Sequence, residues 1–268
     1  MLGSTVLEVA VGLTFCYATV ALIVSTIQEA LASALQLRAR TLLSGVKTML
    51  NDPNFASLAR KLYSHALVNP HDNGVPGGQR PTAKPSYIEP VHFAGAMIDI
   101  LQTAPGNFEQ LGRDIDALPD PQLRQALQGL YQRAQGDIVL FEAALAGWFD
   151  SAMERVSGAY KRYSMMVSLV LSLLLAALFN IDSIHLFQSL WQQPALASHI
   201  GTVSDPRTVE ALLRLPIGWQ QFPPTFNSQF AVNVAGWMLT ASTALFGAPF
   251  WFDLMKRTVQ LRGTGHKP

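Results

Sequence analysis

The chain has 268 residues, of which 49% are hydrophobic and only 14% are charged, whereas a typical soluble domain has about 25% charged residues. A net charge of +1 excludes a bulk field for nucleic acid, and a single cysteine excludes an intrachain disulfide framework and any metal site with several cysteines. These values predict an all-α integral membrane protein with several spans and a modest soluble part.

Residues 1–27 are predicted to form the first transmembrane helix. The twenty residues between Glu8 and Glu29 are uncharged, and they would form about 30 Å of helix, which matches the hydrocarbon core of a bilayer. No Lys or Arg precedes this run, and no small-residue cleavage site follows it. We therefore expect an uncleaved span rather than a signal peptide.

Small residues recur every seven positions along this helix, at Gly12, Thr19, Thr26 and Ser33. Small side chains let helices approach closely in lipid, and a seven-residue repeat suits left-handed packing. We expect this face to contact another helix, either within the chain or in a neighbouring subunit. Glu8 has two interpretations: a carboxylate that reaches the lipid headgroups, or an intramembrane polar site.

Residues 28–162 are predicted to form a small helical domain in the cytoplasm. The first helix is expected to leave the membrane and to continue as far as Leu50. Further helices are predicted over 55–68, 90–101, 107–118 and 122–135. The segment 69–89 is rich in Pro and Gly, so we expect a mobile loop there, with a binding loop as the alternative.

One long helix, from about Asp137 to Phe179, is predicted to join this domain to the second span. Its first half has apolar residues three or four positions apart, as in an amphipathic helix. Nineteen uncharged residues then separate Arg162 from Asp182, which is roughly 28 Å of helix. Residues 163–181 are therefore the predicted second transmembrane helix.

Residues 182–229 are predicted to be an extracytoplasmic loop with short interfacial helices, one over 184–191 and one after Pro206. Residues 230–249 are the predicted third transmembrane helix, on which Gly236 and Thr240 belong to a ladder of small residues that favours helix packing. The sequence Gly247-Ala248-Pro249 is expected to bend or end that helix. Residues 250–268 are the predicted cytoplasmic tail.

The distribution of Lys and Arg predicts the orientation. The segment 28–162 holds thirteen basic residues and the tail after residue 249 holds four, whereas the loop 181–229 holds two. The positive-inside rule then predicts an N-terminus outside and a C-terminus in the cytoplasm.

A short sequence pattern occurs twice, once in the predicted helical domain and once in the predicted tail. Tryptophan, aspartate and arginine recur at similar spacing in Trp148, Asp150 and Arg155 and in Trp251, Asp253 and Arg257. Aromatic rings near charged groups suit the depth of the lipid headgroups. We expect these residues to lock the second and third spans together at the cytoplasmic surface. The alternative is a cytoplasmic mouth that binds a cation or a partner.

Four blocks of sequence carry a resemblance to a known family. They are Pro85-Ser86-Tyr87-Ile88, Gly147-Trp148-Phe149-Asp150 with Met153 and Arg155, Leu215-Pro216-Ile217-Gly218-Trp219, and Gly247-Ala248-Pro249-Phe250-Trp251-Phe252-Asp253. In this order the blocks resemble an uncharacterised family of bacterial inner-membrane proteins. The resemblance implies a bacterial inner-membrane location and this topology, and it implies no activity.

No catalytic motif occurs in the sequence. It contains no nucleophile elbow, HExxH or Walker sequence, so we expect no enzyme activity and no cofactor or metal. The favoured function is a membrane anchor or scaffold subunit, with membrane lipids and either other membrane subunits or further copies of the chain as partners. The alternative is a subunit of a homo-oligomeric channel or transporter, because three spans per chain do not enclose a pore alone.

Overall fold

The structure, a computed structural model, describes residues 2–70, 84–193, 217–219 and 228–264. All regular secondary structure in these residues is helical, which confirms the all-α prediction. The helices are α1 (Leu2–Ala34), α2 (Leu37–Met49), α3 (Leu58–Tyr63), α4 (Pro90–Leu101), α5 (Phe108–Asp116), α6 (Pro121–Ala134), α7 (Ile138–Leu178), α8 (Ser183–Gln192), α9 (Ser228–Ala244) and α10 (Gly247–Thr264).

The chain divides into two compact units. The helical domain comprises Ala32–Arg162, and the span region comprises Met1–Leu31 together with Tyr163–Pro268. Helices α1 and α7 contribute residues to both units. Most of the predicted loop 69–89 and the predicted helix after Pro206 lie outside the described residues.

Aromatic rings pack in pairs within the largely aliphatic core of the helical domain. Phe93 stacks on Phe149 with 4.2 Å between ring centroids, and Phe108 stacks on Tyr131 at 4.3 Å. Phe141 meets the second pair edge-on. On α7, Phe141, Leu145 and Phe149 are buried in this core at helical spacing, and Trp148 is partly buried against it.

Helices α4, α5 and α6 begin where the sequence predicts. The Asp120 carboxylate accepts a hydrogen bond from the Leu123 backbone N–H at 2.7 Å, and the Asn107 side chain accepts one from Gln110 at 3.0 Å. These side chains satisfy backbone donors that have no partner within the helix. Proline occupies the first turn of α4 and of α6, where its missing N–H costs nothing.

The predicted helix over 55–68 is shorter than expected, because a buried carboxylate holds the preceding turn. Asp52 is only 5% exposed. Its carboxylate accepts backbone hydrogen bonds from Ala56 and Ser57 at 2.9 Å and from Ala59 at 3.1 Å. Burial acts to raise the pKa of Asp52, but these donors outweigh it and the pKa is lowered. The regular helix therefore begins only at Leu58.

The prediction that the first helix continues to Leu50 was wrong. Helix α1 ends at Ala34, and Gln36 adopts a left-handed backbone conformation with φ of 51° before α2 begins at Leu37. A left-handed residue interrupts the helical hydrogen-bond ladder. Neither Gly nor Pro lies at this break, so no local sequence signal predicted it.

Helix α7 runs without interruption over 41 residues, as predicted. Its most apolar stretch has only 11% of its residues buried. Large apolar side chains are exposed along it, including Met165, Val170 and Leu174. Such a continuous apolar surface suits contact with lipid rather than with water.

Two helices of the described chain are long and apolar enough to cross a membrane, the Thr5–Ala34 part of α1 and helix α7. Helices α9 and α10 pass the same test only together, and they meet at an angle of 92°. The chain has a third candidate span only if these two helices together form one span that is broken at the bend. These helices are consistent with a multi-pass membrane protein.

The bend between α9 and α10 lies at Gly247-Ala248-Pro249, where the sequence predicted that the helix bends or ends; the membrane bounds 230–249 and the cytoplasmic tail stay predictions. Helix α9 ends at Ala244, and Gly247 has a φ of +77°, which glycine adopts without steric cost. Pro249 lies in the first turn of α10, where proline is compatible with a helix. The Trp251 indole N–H donates to the Thr243 carbonyl at 2.7 Å and so ties the two helices together.

The span region has two apolar clusters. In one, small and aliphatic side chains of α1 pack with α9 and α10, and the ring of Tyr17 lies 5.0 Å from that of Trp251. In the other, Leu186 and Leu190 of α8 are buried with α1. The predicted short helix over 184–191 therefore exists as α8, and one of its faces is packed against the first helix; its interfacial position stays a prediction.

Candidate functional site

A cleft opens in the helical domain between α2, α6 and α7. Its volume is about 770 Å³, which falls within the size range of small-ligand sites. Apolar residues form part of its wall, among them Leu37, Trp148 and Val156. Hydroxyl and amide groups also line it, those of Thr41, Ser44, Thr48 and Gln122, together with the arginines Arg40 and Arg155. The cleft thus combines an apolar wall with positive charge.

A glycine sets the separation of two walls of this cleft. A Cβ atom on Gly45 of α2 would lie 2.7 Å from Cγ2 of Val156 and 3.4 Å from Cε of Met153, both on α7. Carbon atoms that are not bonded do not approach to 2.7 Å without a shift of one partner. Gly45 therefore permits a close contact between α2 and α7 at the cleft.

The third wall of the cleft is formed by α6, and the carboxylate of Asp120 at the start of α6 stabilises its position next to α2. Asp120 accepts a hydrogen bond from the Asn51 side-chain amide as well as from the Leu123 backbone N–H. The backbone donor is the main cause of the lowered pKa of Asp120, followed by the Asn51 amide. Asp120 is therefore ionised at neutral pH, and it links the end of α2 to the start of α6.

A second constellation of polar groups lies in the span region, where α7 ends and α8 begins. The Trp237 indole N–H donates to the Asn180 side-chain oxygen at 3.0 Å. The Thr240 hydroxyl donates to the Ile181 carbonyl at 2.7 Å, and it lies 2.8 Å from the Ser183 hydroxyl. These bonds join α9 to the α7–α8 turn through groups that would otherwise be buried without partners.

Asp182 is the charged residue of this turn, and only 4% of its surface is exposed. Its Oδ1 atom accepts hydrogen bonds from the backbone N–H groups of Ile184 and His185 at 2.8 and 3.2 Å. A Cβ atom on Gly236 would lie only 1.7 Å from this oxygen. Glycine is therefore required on α9 at the point where the helix meets the carboxylate.

A further polar contact joins the first two candidate spans. The Gln28 side chain hydrogen-bonds with the hydroxyls of Ser164 and Ser168, donating through its amide nitrogen to the first and accepting through its oxygen from the second. An amide between two hydroxyls satisfies donors and acceptors on both helices in an apolar setting. This contact fixes the register of α1 against α7 within the span region.

The predicted packing residues have separate environments. Gly236 and Thr240 lie in the contact just described, and Gly12 is buried, whereas Thr19, Thr26 and Ser33 are exposed. The hydroxyls of Thr19 and Thr26 donate to carbonyls four residues earlier on α1. The described chain thus leaves most of this stripe uncovered, and contact with a neighbouring subunit stays a prediction.

The six predicted lock residues fall into both units. Trp148 and Arg155 line the cleft of the helical domain, and Asp150 is exposed on the same helix. Trp251 is buried at the bend of the span region, while Asp253 and Arg257 are exposed on α10. A lock formed by all six residues stays a prediction.

Glu8 is half-buried on α1, and it forms no hydrogen bond or ion pair with any residue that the structure describes. Its function as an intramembrane polar site stays a prediction. Within the described ranges, no group of three or more His, Cys, Asp or Glu side chains is placed to hold a metal ion.

Sequence reasoning missed the residues that define both constellations. Three of them looked like ordinary helix positions: Arg40, Gly45 and Gln28. Their contacts depend on which helices pack together, and the sequence alone does not show this. Asp182 carried a usable signal, since an aspartate directly before a helix is a common N-cap. Gly236 was identified as a packing residue, but its partner lies 54 positions away in the sequence.

Comparisons with known proteins give no independent identification of the chain. No protein-family model, no curated protein and no solved structure matches it. Membership of the bacterial inner-membrane family therefore stays a prediction that rests on the four sequence blocks.

Proposed function

We propose that the protein is a non-enzymatic anchor or scaffold subunit that holds a partner protein at a bacterial inner membrane. The observation that carries this proposal is the continuity of α7. Over its first half this helix supplies Phe141, Leu145 and Phe149 to the core of the helical domain, and its second half is a candidate membrane span. One unbroken helix thus belongs both to the folded domain and to a candidate span.

The proposed partner binds an exposed apolar surface of the helical domain. This surface is the first turn of α7, where Val139 is 66% exposed and its neighbours Ile138 and Leu140 are exposed as well. Exposed apolar side chains outside the spans are typical of protein-protein contacts. These residues support a protein partner rather than a soluble substrate.

The proposed topology has three spans, with the bent pair α9–α10 as the third. The N-terminus is outside, and the helical domain and C-terminus are cytoplasmic. The basic residues that flank the candidate spans, Arg38, Arg40, Lys161 and Arg162, support this orientation, because basic residues close to spans stay in the cytoplasm.

The alternative function is a subunit of a homo-oligomeric channel or transporter. The exposed Thr19, Thr26 and Ser33 stripe on α1 favours it, because hydroxyl-bearing small residues suit a helix-helix contact between subunits or the lining of a pore. The hydroxyls of Thr19 and Thr26 already donate to carbonyls of their own helix, which is equally compatible with lipid, so the anchor remains the proposed function.

Purification from native membranes in mild detergent tests the proposal, with the intact mass of the complex as the readout. The anchor predicts a second protein at fixed stoichiometry. Val139→Asp is expected to reduce that protein at least tenfold, because it places a charge in the apolar contact. The matched control Gln125→Asp, at an exposed position on α6, should retain it. A closed homo-oligomer with no second protein would contradict the anchor and favour the channel.

A further inference from the structure

The cleft of the helical domain has an asymmetric charge. Arg40 on α2 and Arg155 on α7 both line it, and no Asp or Glu is among the described residues that line it. Both arginines are exposed, and neither forms an ion pair within the described part of the chain. Two guanidinium groups without carboxylate partners are suited to an anion, above all to a phosphate with several oxygens.

The remaining walls of the cleft are amphipathic. Hydroxyl groups of Thr41 and Ser44 can donate hydrogen bonds, while Leu37, Val156 and Ala159 provide an apolar wall. A volume of about 770 Å³ exceeds what one inorganic phosphate fills. The combination suits a molecule with a charged head, hydrogen-bonding oxygens and an apolar continuation.

The position of the cleft along the chain indicates the source of such a molecule. On α7, Arg155 precedes the start of the uncharged run at Tyr163 by eight residues, which is about 12 Å of continuous helix. Arg40 follows Ala34, where the first candidate span ends, by six residues. Both arginines thus belong to segments that directly adjoin candidate spans, where lipid headgroups are concentrated.

We propose that the cleft binds the headgroup of one anionic phospholipid, with Arg40 and Arg155 on the phosphate and the apolar wall against the glycerol and the first acyl carbons. The lipid occupies a defined site with a stoichiometry of one per chain. This distinguishes it from the diffuse attraction of basic residues to an anionic membrane surface. The proposal needs the chain to be in a membrane, but it does not depend on the anchor function.

Native mass spectrometry of the full chain in detergent tests this site by titration with phosphatidylglycerol and with phosphatidylcholine of the same acyl chains. We expect one phosphatidylglycerol to bind at low lipid concentration, and phosphatidylcholine to bind more weakly. Arg40→Gln and Arg155→Gln should each weaken phosphatidylglycerol about fivefold. Arg133→Gln removes the same charge from an exposed position on α6 outside the cleft, and it should change nothing.

Four results would overturn the proposal. Equal binding of both lipids, or an equal loss in Arg133→Gln, would identify non-specific association. Complete displacement of phosphatidylglycerol by millimolar inorganic phosphate would identify a free-phosphate site. If the arginine variants lose helicity by circular dichroism, Ser44→Trp tests the same site, because it fills the cleft from an exposed position without a change of charge. It should abolish the one-to-one complex, and intact binding would overturn the proposal.

Discussion

The contact between Gly236 and Asp182 predicts a large effect from a single methyl group. Gly236→Ala would place a Cβ atom 1.7 Å from Oδ1 and 2.3 Å from Cγ of Asp182. The carboxylate is not free to rotate away, because the same oxygen accepts the backbone hydrogen bonds that begin α8. Either α8 loses its cap or α9 moves.

The magnitude follows from these two routes. Loss of the cap costs about 1 kcal/mol, with 1–3 kcal/mol more for a buried polar group left unpaired. A shift of α9 costs about 1–3 kcal/mol through overpacking. Alanine regains about 1 kcal/mol of helix propensity. We therefore expect Gly236→Ala to lower the free energy of unfolding by about 2 kcal/mol.

Denaturation in mixed detergent micelles, followed by tryptophan fluorescence, measures this effect. Gly147→Ala is the matched control, because its Cβ meets no atom within 4 Å and it should raise stability by up to about 1 kcal/mol. The double variant Asp182→Ala/Gly236→Ala should be no less stable than Asp182→Ala alone, since the clash is then absent. Simple additivity of the two losses would refute the close approach.

Three further predictions concern other contacts of the chain. Gly45→Ala should destabilise the helical domain by about 1 kcal/mol, because its new methyl group would clash with Val156. The control Gly147→Ala should not destabilise it. Equal changes in the denaturant midpoints of the two variants would contradict the close contact. Because the pKa of Asp52 is lowered by folding, its contribution to stability is present above its unfolded pKa of about 4 and is lost as the pH falls through the lower folded value. Asp52→Asn should cost roughly 2 kcal/mol at pH 7 and flatten this acid dependence of thermal unfolding. Trp251→Phe should cost about 1 kcal/mol by removing the bond across the α9–α10 bend, and an unchanged midpoint would contradict that contact.

Local signals in the sequence predicted the helices that depend on local chemistry. Asp120 and Pro121 indicated the start of α6, and the uncharged run after Arg162 indicated the apolar half of α7. These predictions succeeded because a cap or a hydrophobic run acts within one helix.

The features that the sequence did not predict depend on contacts between distant residues. Gln36 adopts a left-handed backbone conformation, and no Gly or Pro beside it predicts this break in the helix. Gly236 meets a carboxylate 54 positions earlier, and the cleft arginines converge only when α2 and α7 pack. Such positions are set by tertiary packing, which overrides local propensity.

The most direct test of the central claim, that α7 crosses the membrane from the helical domain, is cysteine labelling of intact cells with an impermeant maleimide. In a Cys16→Ser background, Gln188→Cys on α8 should react from outside, whereas Ser64→Cys in the helical domain should react only after the membrane is opened. Leu174→Cys, exposed on the apolar half of α7, should stay protected from the aqueous reagent in both conditions. Labelling of Gln188→Cys and Ser64→Cys from the same side, or ready labelling of Leu174→Cys, would contradict a membrane-spanning α7.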